Sequence, residues 1–274
     1  MADLAAARLA LAGCGKMGGA LLRGWLAGGL SPRHAVVVEP MPVGIEDLAA
    51  QGVRIVASPD AIPAAFTPDA VILAVKPQVM DAVVSGCARL ARPGTFFLSI
   101  AAGKTIAYFR RHLGEAAAIV RAMPNTPAAI GRGISVAVAG AKATAKQRAL
   151  ADRLLSACGE VAWVTDEALM DPVTALSGGG PAYIFLLIEA LAEAGRKAGL
   201  PAELAMRLAR ATVSGAGELA RLSPEPAAEL RRNVTSPGGT TQEALAILMA
   251  PDGLQPLLDR AIAAATRRSR ELAD

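Results

Sequence analysis

The sequence predicts a helix-rich α/β protein: an N-terminal Rossmann-type domain, with a mainly parallel sheet and helices on both faces, followed by an all-α C-terminal domain that forms dimers. Three observations carry this expectation. In the first half, short apolar runs rich in β-branched residues alternate with helical patterns at the spacing of βαβ units. The first of these runs ends in Gly13-Cys14-Gly15-Lys16-Met17-Gly18, a G-x-G-x-x-G loop. Beyond about Thr165 the strand signals stop, and prolines punctuate long helices of alanine and leucine. The expected division is therefore residues 1–164 and 165–274.

Strands are expected at 8–12, 35–39, 53–56, 70–75, 95–100, 117–122, 134–139 and 161–164. Continuous apolar runs such as Val71-Ile72-Leu73-Ala74-Val75 indicate strands covered on both faces, as in a parallel sheet. In the second half helices are expected to start at Pro181, Pro201, Pro224, Pro237 and near Pro251, because proline is tolerated in a first helical turn, where its missing N–H has no partner to lose. The helices from Pro181 and Pro201 carry more apolar surface than this domain needs for itself, which predicts a homodimer built through it.

A chain of 274 residues is long enough for a sheet domain of roughly 150 residues and a second domain. With 53% apolar residues but only 3% aromatics, it favours closely packed helices over a β-sandwich and excludes a disordered chain. The net charge of +4 comes from scattered arginines, and the cluster Arg267, Arg268 and Arg270 reads as a solvated helix face without interleaved aromatics, so no nucleic-acid partner is expected. Cys14, Cys87 and Cys158 lie far apart and lack C-x-x-C spacing, which predicts neither a disulfide framework nor a metal site and fits a reducing cytoplasm. Asp3 stands where a secretory leader would be positive, and the apolar run 182–188 stops at Glu189, too short for a bilayer, so no membrane segment is expected.

In the glycine loop, backbone amides and a helix N-terminus can approach a pyrophosphate because no Cβ stands in the way. Here the loop follows a strand and precedes a helix, and Glu39 ends the next strand; together these predict dinucleotide binding in the first domain. A carboxylate at Glu39 accepts bonds from ribose hydroxyls and repels the extra phosphate of NADP, and residues 40–44 offer no lysine or arginine to hold that phosphate. This leans toward NADH, with the alternative that Glu39 turns away and a basic group such as Arg54 reaches the site. Three further loops should meet the same crevice: Ala74-Val75-Lys76-Pro77, Ile100-Ala101-Ala102 and the segment 121–127 that contains Asn125. Ala101 and Ala102 are small enough to let a nicotinamide lie flat, while Lys76 has the alternative of a solvent-facing lysine at a helix start.

The segment Ser236-Pro237-Gly238-Gly239-Thr240-Thr241 reads as a helix start built for a small anion, with Ser236 as N-cap, Pro237 at the first position, bare glycine amides and two hydroxyls, suited to a substrate carboxylate. Ser177, ahead of Gly178-Gly179-Gly180, adds a hydroxyl where the glycines permit close approach, whether of a ligand or only of packed backbone. A carbonyl reductase needs a positioned proton donor, yet His34 and His112 lie outside these loops, as surface residues, and Tyr108 and Tyr183 have no Y-x-x-x-K partner. An imine can arrive already protonated, so a hydroxyl or water suffices, and the serines and threonines fit imine reduction better.

These residues resemble the pyrroline-5-carboxylate reductase family of proline biosynthesis, through the glycine loop, Ala74-Val75-Lys76-Pro77, Met123-Pro124-Asn125-Thr126-Pro127, the stretch from Leu176 to Tyr183, and Asn233 to Thr241. The resemblance covers essentially the whole chain. It implies that NADPH or NADH is held by Ala12, Gly13, Cys14, Gly15, Lys16 and Met17, with Gly18 completing the loop's spacing, and by the loops at 74–77 and 100–102. It also implies that Val234, Ser236, Gly239, Thr240 and Thr241 surround pyrroline-5-carboxylate, with Thr241 binding the carboxylate or assisting proton delivery. A dimer interlocked through helical domains, in some members a decamer of five dimers, is implied as well. Two departures stand out: Gly179 occupies a position commonly serine in the family, and Glu39 is acidic where many members favour NADPH. The expected activity is NAD(P)H-dependent reduction of 1-pyrroline-5-carboxylate to L-proline. The alternatives are another cyclic imine reductase, a β-hydroxyacid-type dehydrogenase, whose catalytic lysine Lys197 would be badly placed to supply, and a non-catalytic cofactor-sensing protein.

Overall fold

The structure, a computed structural model, describes residues 4–272; Asp3 and the last two residues lie outside it. Among the described residues the first half alternates β1 (Leu9–Ala12), α1 (Lys16–Ala27), β2 (Ala35–Val38), α2 (Glu46–Ala50), β3 (Arg54–Val56), β4 (Ala70–Leu73), α3 (Met80–Cys87), β5 (Phe96–Ser99), α4 (Ile106–Leu113), β6 (Ala118–Met123), β7 (Gly133–Ala139), α5 (Ala145–Ser156) and β8 (Gly159–Val164). They form one 8-stranded sheet in the order β3-β2-β1-β4-β5-β6-β7-β8. Pairing is parallel from β3 through β6. The link from β6 to β7 is too short for a crossover helix, so β7 returns antiparallel, and α5 then carries the chain to β8 parallel to it.

The central strands β1, β2 and β4 are apolar and buried at every position, so the middle of the sheet is covered on both faces. Leu9 and Leu11 of β1 join one core with Leu21, Leu22 and Trp25 of α1 and Leu154 of α5. Ala10 and Ala12, pointing the other way, join a second core with Val71, Leu73, Met80, Phe97 and Phe109. Burying one such side chain contributes roughly 1.5–3 kcal/mol. Trp25, fully buried, satisfies its indole N–H on the Leu154 carbonyl at 2.7 Å.

The chain then becomes helical: α6 (Met170–Val173), a π-turn at Thr174–Gly178, α7 (Gly180–Lys197), α8 (Ala202–Leu222), α9 (Ala227–Asn233), α10 (Thr240–Leu248) and α11 (Leu254–Glu271). It divides into two compact units, one running to Gly178 and resuming from Ala265, the other from Gly179 to Ala264. In the first unit, the end of α11 is tied down by Ser269, whose hydroxyl donates to Asp171 at 2.7 Å. In the second, α7 and α8 form a hairpin in which Gly195 lets Leu200 and Ala205 approach closely.

Several helix starts fall later than the prolines that signalled them. Pro201 and Pro226 are themselves the N-cap residues of α8 and α9, at extended ψ of 138° and 146°, while Pro224 lies in a turn where the Ser223 hydroxyl accepts from the Glu225 amide. Helix α11 begins three residues past Pro251.

Candidate active site

Strand order reverses at β1, which has β2 on one side and β4 on the other, so the loops leaving these strands at their C-terminal ends open a crevice between them. Hydrogen bonds draw the loops together: the Gly13 amide donates to the Val38 carbonyl at 2.9 Å, that of Ala74 to Ala12 at 2.8 Å, and that of Ile100 to Leu73 at 3.1 Å. Ala12, Glu39, Val75 and Ala101 therefore share one edge of the sheet.

The three glycines of the G-x-G-x-x-G loop do different work. Gly13 has φ +90°, and a Cβ there would sit 2.8 Å from the Ala74 carbonyl oxygen. Gly18 packs so closely that a Cβ would lie 2.2 Å from the Gly13 carbonyl oxygen. Gly15 is the opposite: it is exposed, and nothing lies within 4 Å of where its Cβ would be. Gly15 is also the N-cap of α1, without a side-chain cap and with no acidic residue in the first turn, so the amides of Lys16, Met17 and Gly18 face an open space that suits a dinucleotide pyrophosphate.

Glu39 follows β2 and turns toward this loop, not away from it. Its carboxylate accepts from the Cys14 amide at 2.9 Å and from the Met41 amide at 3.3 Å. Arg54 does not reach it: Arg54 pairs with Val36 at the start of β3, whereas the Glu39 amide bonds Val56 at the other end, and Arg54 shares a separate groove with Arg8 and Arg33. The Cys14 thiol beside Glu39 is buried, which pushes its pKa to about 11; burial pushes that of Cys87 to about 12. Neither is a thiolate near neutral pH.

Of the remaining loop residues, Ile100 and Ala101 are buried and Ala102 is half-buried, with the Ala101 amide donating to the Ser99 hydroxyl at 3.3 Å. Lys76 is exposed and N-caps the 3-10 turn Pro77–Val79. Asn125 and Ser177 come together although 52 residues separate them: the Asn125 Nδ2 donates to the Ser177 Oγ at 3.3 Å. The Ile134 amide fixes the Asn125 side chain by donating to its Oδ1 at 3.0 Å. Ser177 sits in the π-turn, and Gly178 beside it packs against Met123. Close packing thus explains Gly178, and a side-chain partner explains the orientation of Ser177.

One pair escaped sequence reasoning. Arg121 of β6 is 3% exposed and pairs with Glu167 at 3.1 Å, and the same carboxylate oxygen accepts from the Ile106 amide at 2.8 Å. The available signal was a lone arginine inside the apolar run of β6, which can be buried only against a partner.

In the second unit, the 236–241 segment corrects the expected helix start. Ser236 is not the N-cap and Pro237 is not in the helix; the Gly239 amide donates to the Ser236 carbonyl at 3.0 Å, closing a β-turn centred on Pro237 and Gly238. Gly238 has φ +69°, the left-handed conformation that a type II turn requires at that place and a helix forbids. Gly239 is the actual N-cap, α10 opens at Thr240, and the Gln242 side chain accepts from the Gly238 amide at 2.7 Å. The amides of Thr240 and Thr241, together with both exposed hydroxyls, remain available to an anion. Val234 follows α9 and is 64% exposed.

Neither histidine lies in these loops. Both lie at the surface, partly covered: His34 contacts the Ala5 carbonyl at 3.1 Å and His112 the Ser85 hydroxyl at 3.4 Å. Lys197 ends α7 and pairs with Glu193 at 3.7 Å.

Comparison with known proteins bears on both halves. Residues 8–103 match the family described as NADP oxidoreductase, coenzyme F420-dependent, and residues 167–272 match pyrroline-5-carboxylate reductase dimerisation. A pyrroline-5-carboxylate reductase of Pseudomonas aeruginosa is 41% identical over 97% of each chain. A pyrroline-5-carboxylate reductase structure from Coxiella burnetii superposes with a TM-score of 0.90 at 34% identity, over 98% of this chain and 99% of the other. A Plasmodium falciparum pyrroline carboxylate reductase, solved with NADP bound, gives 0.84 at 27% identity over 99% and 100%. From its glycine loop to its helical dimerisation half, the chain belongs to the pyrroline-5-carboxylate reductase family.

Proposed function

We propose that this protein reduces 1-pyrroline-5-carboxylate to L-proline with NADPH or NADH, the last step of proline biosynthesis. The similarity to reductases of that substrate over 97% of both chains carries the reading, and the open space at Gly15 supports it independently.

The amides at the start of α1, with Gly13, Cys14 and Gly15, hold the pyrophosphate, and Glu39 accepts from ribose hydroxyls. Val75, Lys76 and Pro77 border the ring end, and Ile100, Ala101 and Ala102 provide a small-residue surface for it. Bound there, a reduced nicotinamide supplies the hydride that adds to the imine carbon. Thr240 and Thr241 receive the substrate carboxylate on their amides and hydroxyls, Gly238 and Gly239 leave that approach unobstructed, and Ser236 and Val234 wall it. A protonated imine keeps its nitrogen proton as the carbon gains hydride, so the product is a secondary amine and no strong acid is needed. Asn125 turns the Ser177 lone pair toward itself, which leaves the Ser177 hydroxyl proton free to be donated to the nitrogen of an imine that arrives unprotonated.

The helical half builds the oligomer; a homodimer, with a decamer of five dimers as a larger form, is the assembly proposed. A cytoplasmic location without nucleic-acid or membrane partners goes with this role. Replacing Thr241 by alanine should lower kcat/KM by about 10²-fold; steady-state kinetics unchanged from wild type would remove Thr241 from the mechanism.

A further inference from the structure

We propose that Glu39 makes the cofactor site selective for the dinucleotide without a 2′-phosphate, so that this reductase prefers NADH to NADPH. The inference rests on the dinucleotide reading of the glycine loop and decides what that reading leaves open.

Three features carry it. First, the Glu39 carboxylate is fixed: the Cys14 amide at 2.9 Å and the Met41 amide at 3.3 Å hold its two oxygens, one each, at the C-terminal edge of β2 beside the pyrophosphate loop. A carboxylate there retains lone pairs for the 2′- and 3′-hydroxyls of the adenosine ribose. A 2′-phosphate, carrying about −1.5 to −2 charges, would meet a fixed negative group at the same spot.

Second, two more carboxylates stand close by. Glu46 accepts from the Gly44 amide at 3.1 Å, and Asp47 stands beside it on α2. Arg23 is the base that reaches this loop, and it is already engaged: its Nη2 donates to Asp47 Oδ1 at 2.8 Å and to the Gly44 carbonyl at 3.3 Å. Any phosphate that Arg23 met would share its guanidinium with the Asp47 carboxylate already paired to it. Arg54 cannot substitute, because it lies at the far end of β3.

Third, the residues after Glu39 suit a base and not a phosphate. Pro40 to Gly44 contain no lysine or arginine, while Met41 and Val43 are 75% and 85% exposed. Such apolar side chains beside the ribose position offer an adenine ring a surface to lie on.

The test is isothermal titration calorimetry of the full chain with NADH, NADPH, ADP-ribose and 2′-phospho-ADP-ribose, on wild type, Glu39→Gln and Glu39→Ser. The wild type should bind each non-phosphorylated ligand at least about tenfold more tightly than its 2′-phosphorylated counterpart. Both variants should lose most of that ratio. Equal or tighter binding of NADPH by the wild type would overturn the proposal, as would a ratio that survives in both variants. Failure of all four ligands to bind would overturn the dinucleotide reading along with it, whereas loss of pyrroline turnover with selectivity intact would count against the substrate reading alone.

Discussion

At the scale of single residues, the glycine loop separates structural from functional demands. Gly18 is required by packing, since any Cβ there collides with backbone, whereas Gly15 has an ordinary φ of −69° and faces open space. Gly18→Ala should therefore destabilise the fold by about 2–4 kcal/mol, read as a lowered denaturation midpoint. Gly15→Val should leave stability within about 0.5 kcal/mol and weaken dinucleotide binding more than tenfold. Two variants with the same profile would show that Gly15 has no role beyond the turn. The loop itself was legible in the sequence because its spacing alone marks it, and so was the position of Glu39 after the next strand, whereas the difference between Gly15 and Gly18 appears only in the folded chain. The bonds from Asn125 to Ser177 and from Arg121 to Glu167 were not, because they join residues 52 and 46 positions apart, and only the folded chain brings those together.

At the scale of elements, the strands could be read from β-branched apolar runs, and each expected strand is present to within two residues at either end. Helix starts were less legible. Proline is equally compatible with the first turn of a helix and with the extended residue just before it, and the structure uses the second option at Pro201 and Pro226. At α10 the deciding residue was Gly238: its positive φ makes a turn of what otherwise reads as a capped first helical turn. Helix α7 poses a different question, because Phe185 and Leu186 are 60% and 63% exposed on an element that matches a dimerisation family. Covering that face with a second subunit would bury them. Phe185→Asp should thus convert the assembled protein to a single-chain mass in light scattering while helical content by circular dichroism stays unchanged. An assembly that persists would place the interface on another face of the helical unit.

For the whole molecule, the helical stretch 167–197 runs for 31 residues and by length and composition alone would suffice to cross a bilayer, which the shorter run 182–188 did not suggest. Its match to a dimerisation family gives the apolar surface a different occupant, a second copy of the chain. The two units have separate tasks in the proposed reaction: the sheet unit binds the dinucleotide through the loops at its strand ends, and the helical unit offers the Thr240–Thr241 amides to a carboxylate. Both must be intact for turnover. The most direct test of the account is steady-state reduction of 1-pyrroline-5-carboxylate by the purified full chain, with NADH and NADPH in parallel and proline identified as product. Turnover to proline with a higher kcat/KM for NADH is the expected result; binding of a dinucleotide without any reduction of this imine would contradict the proposed function.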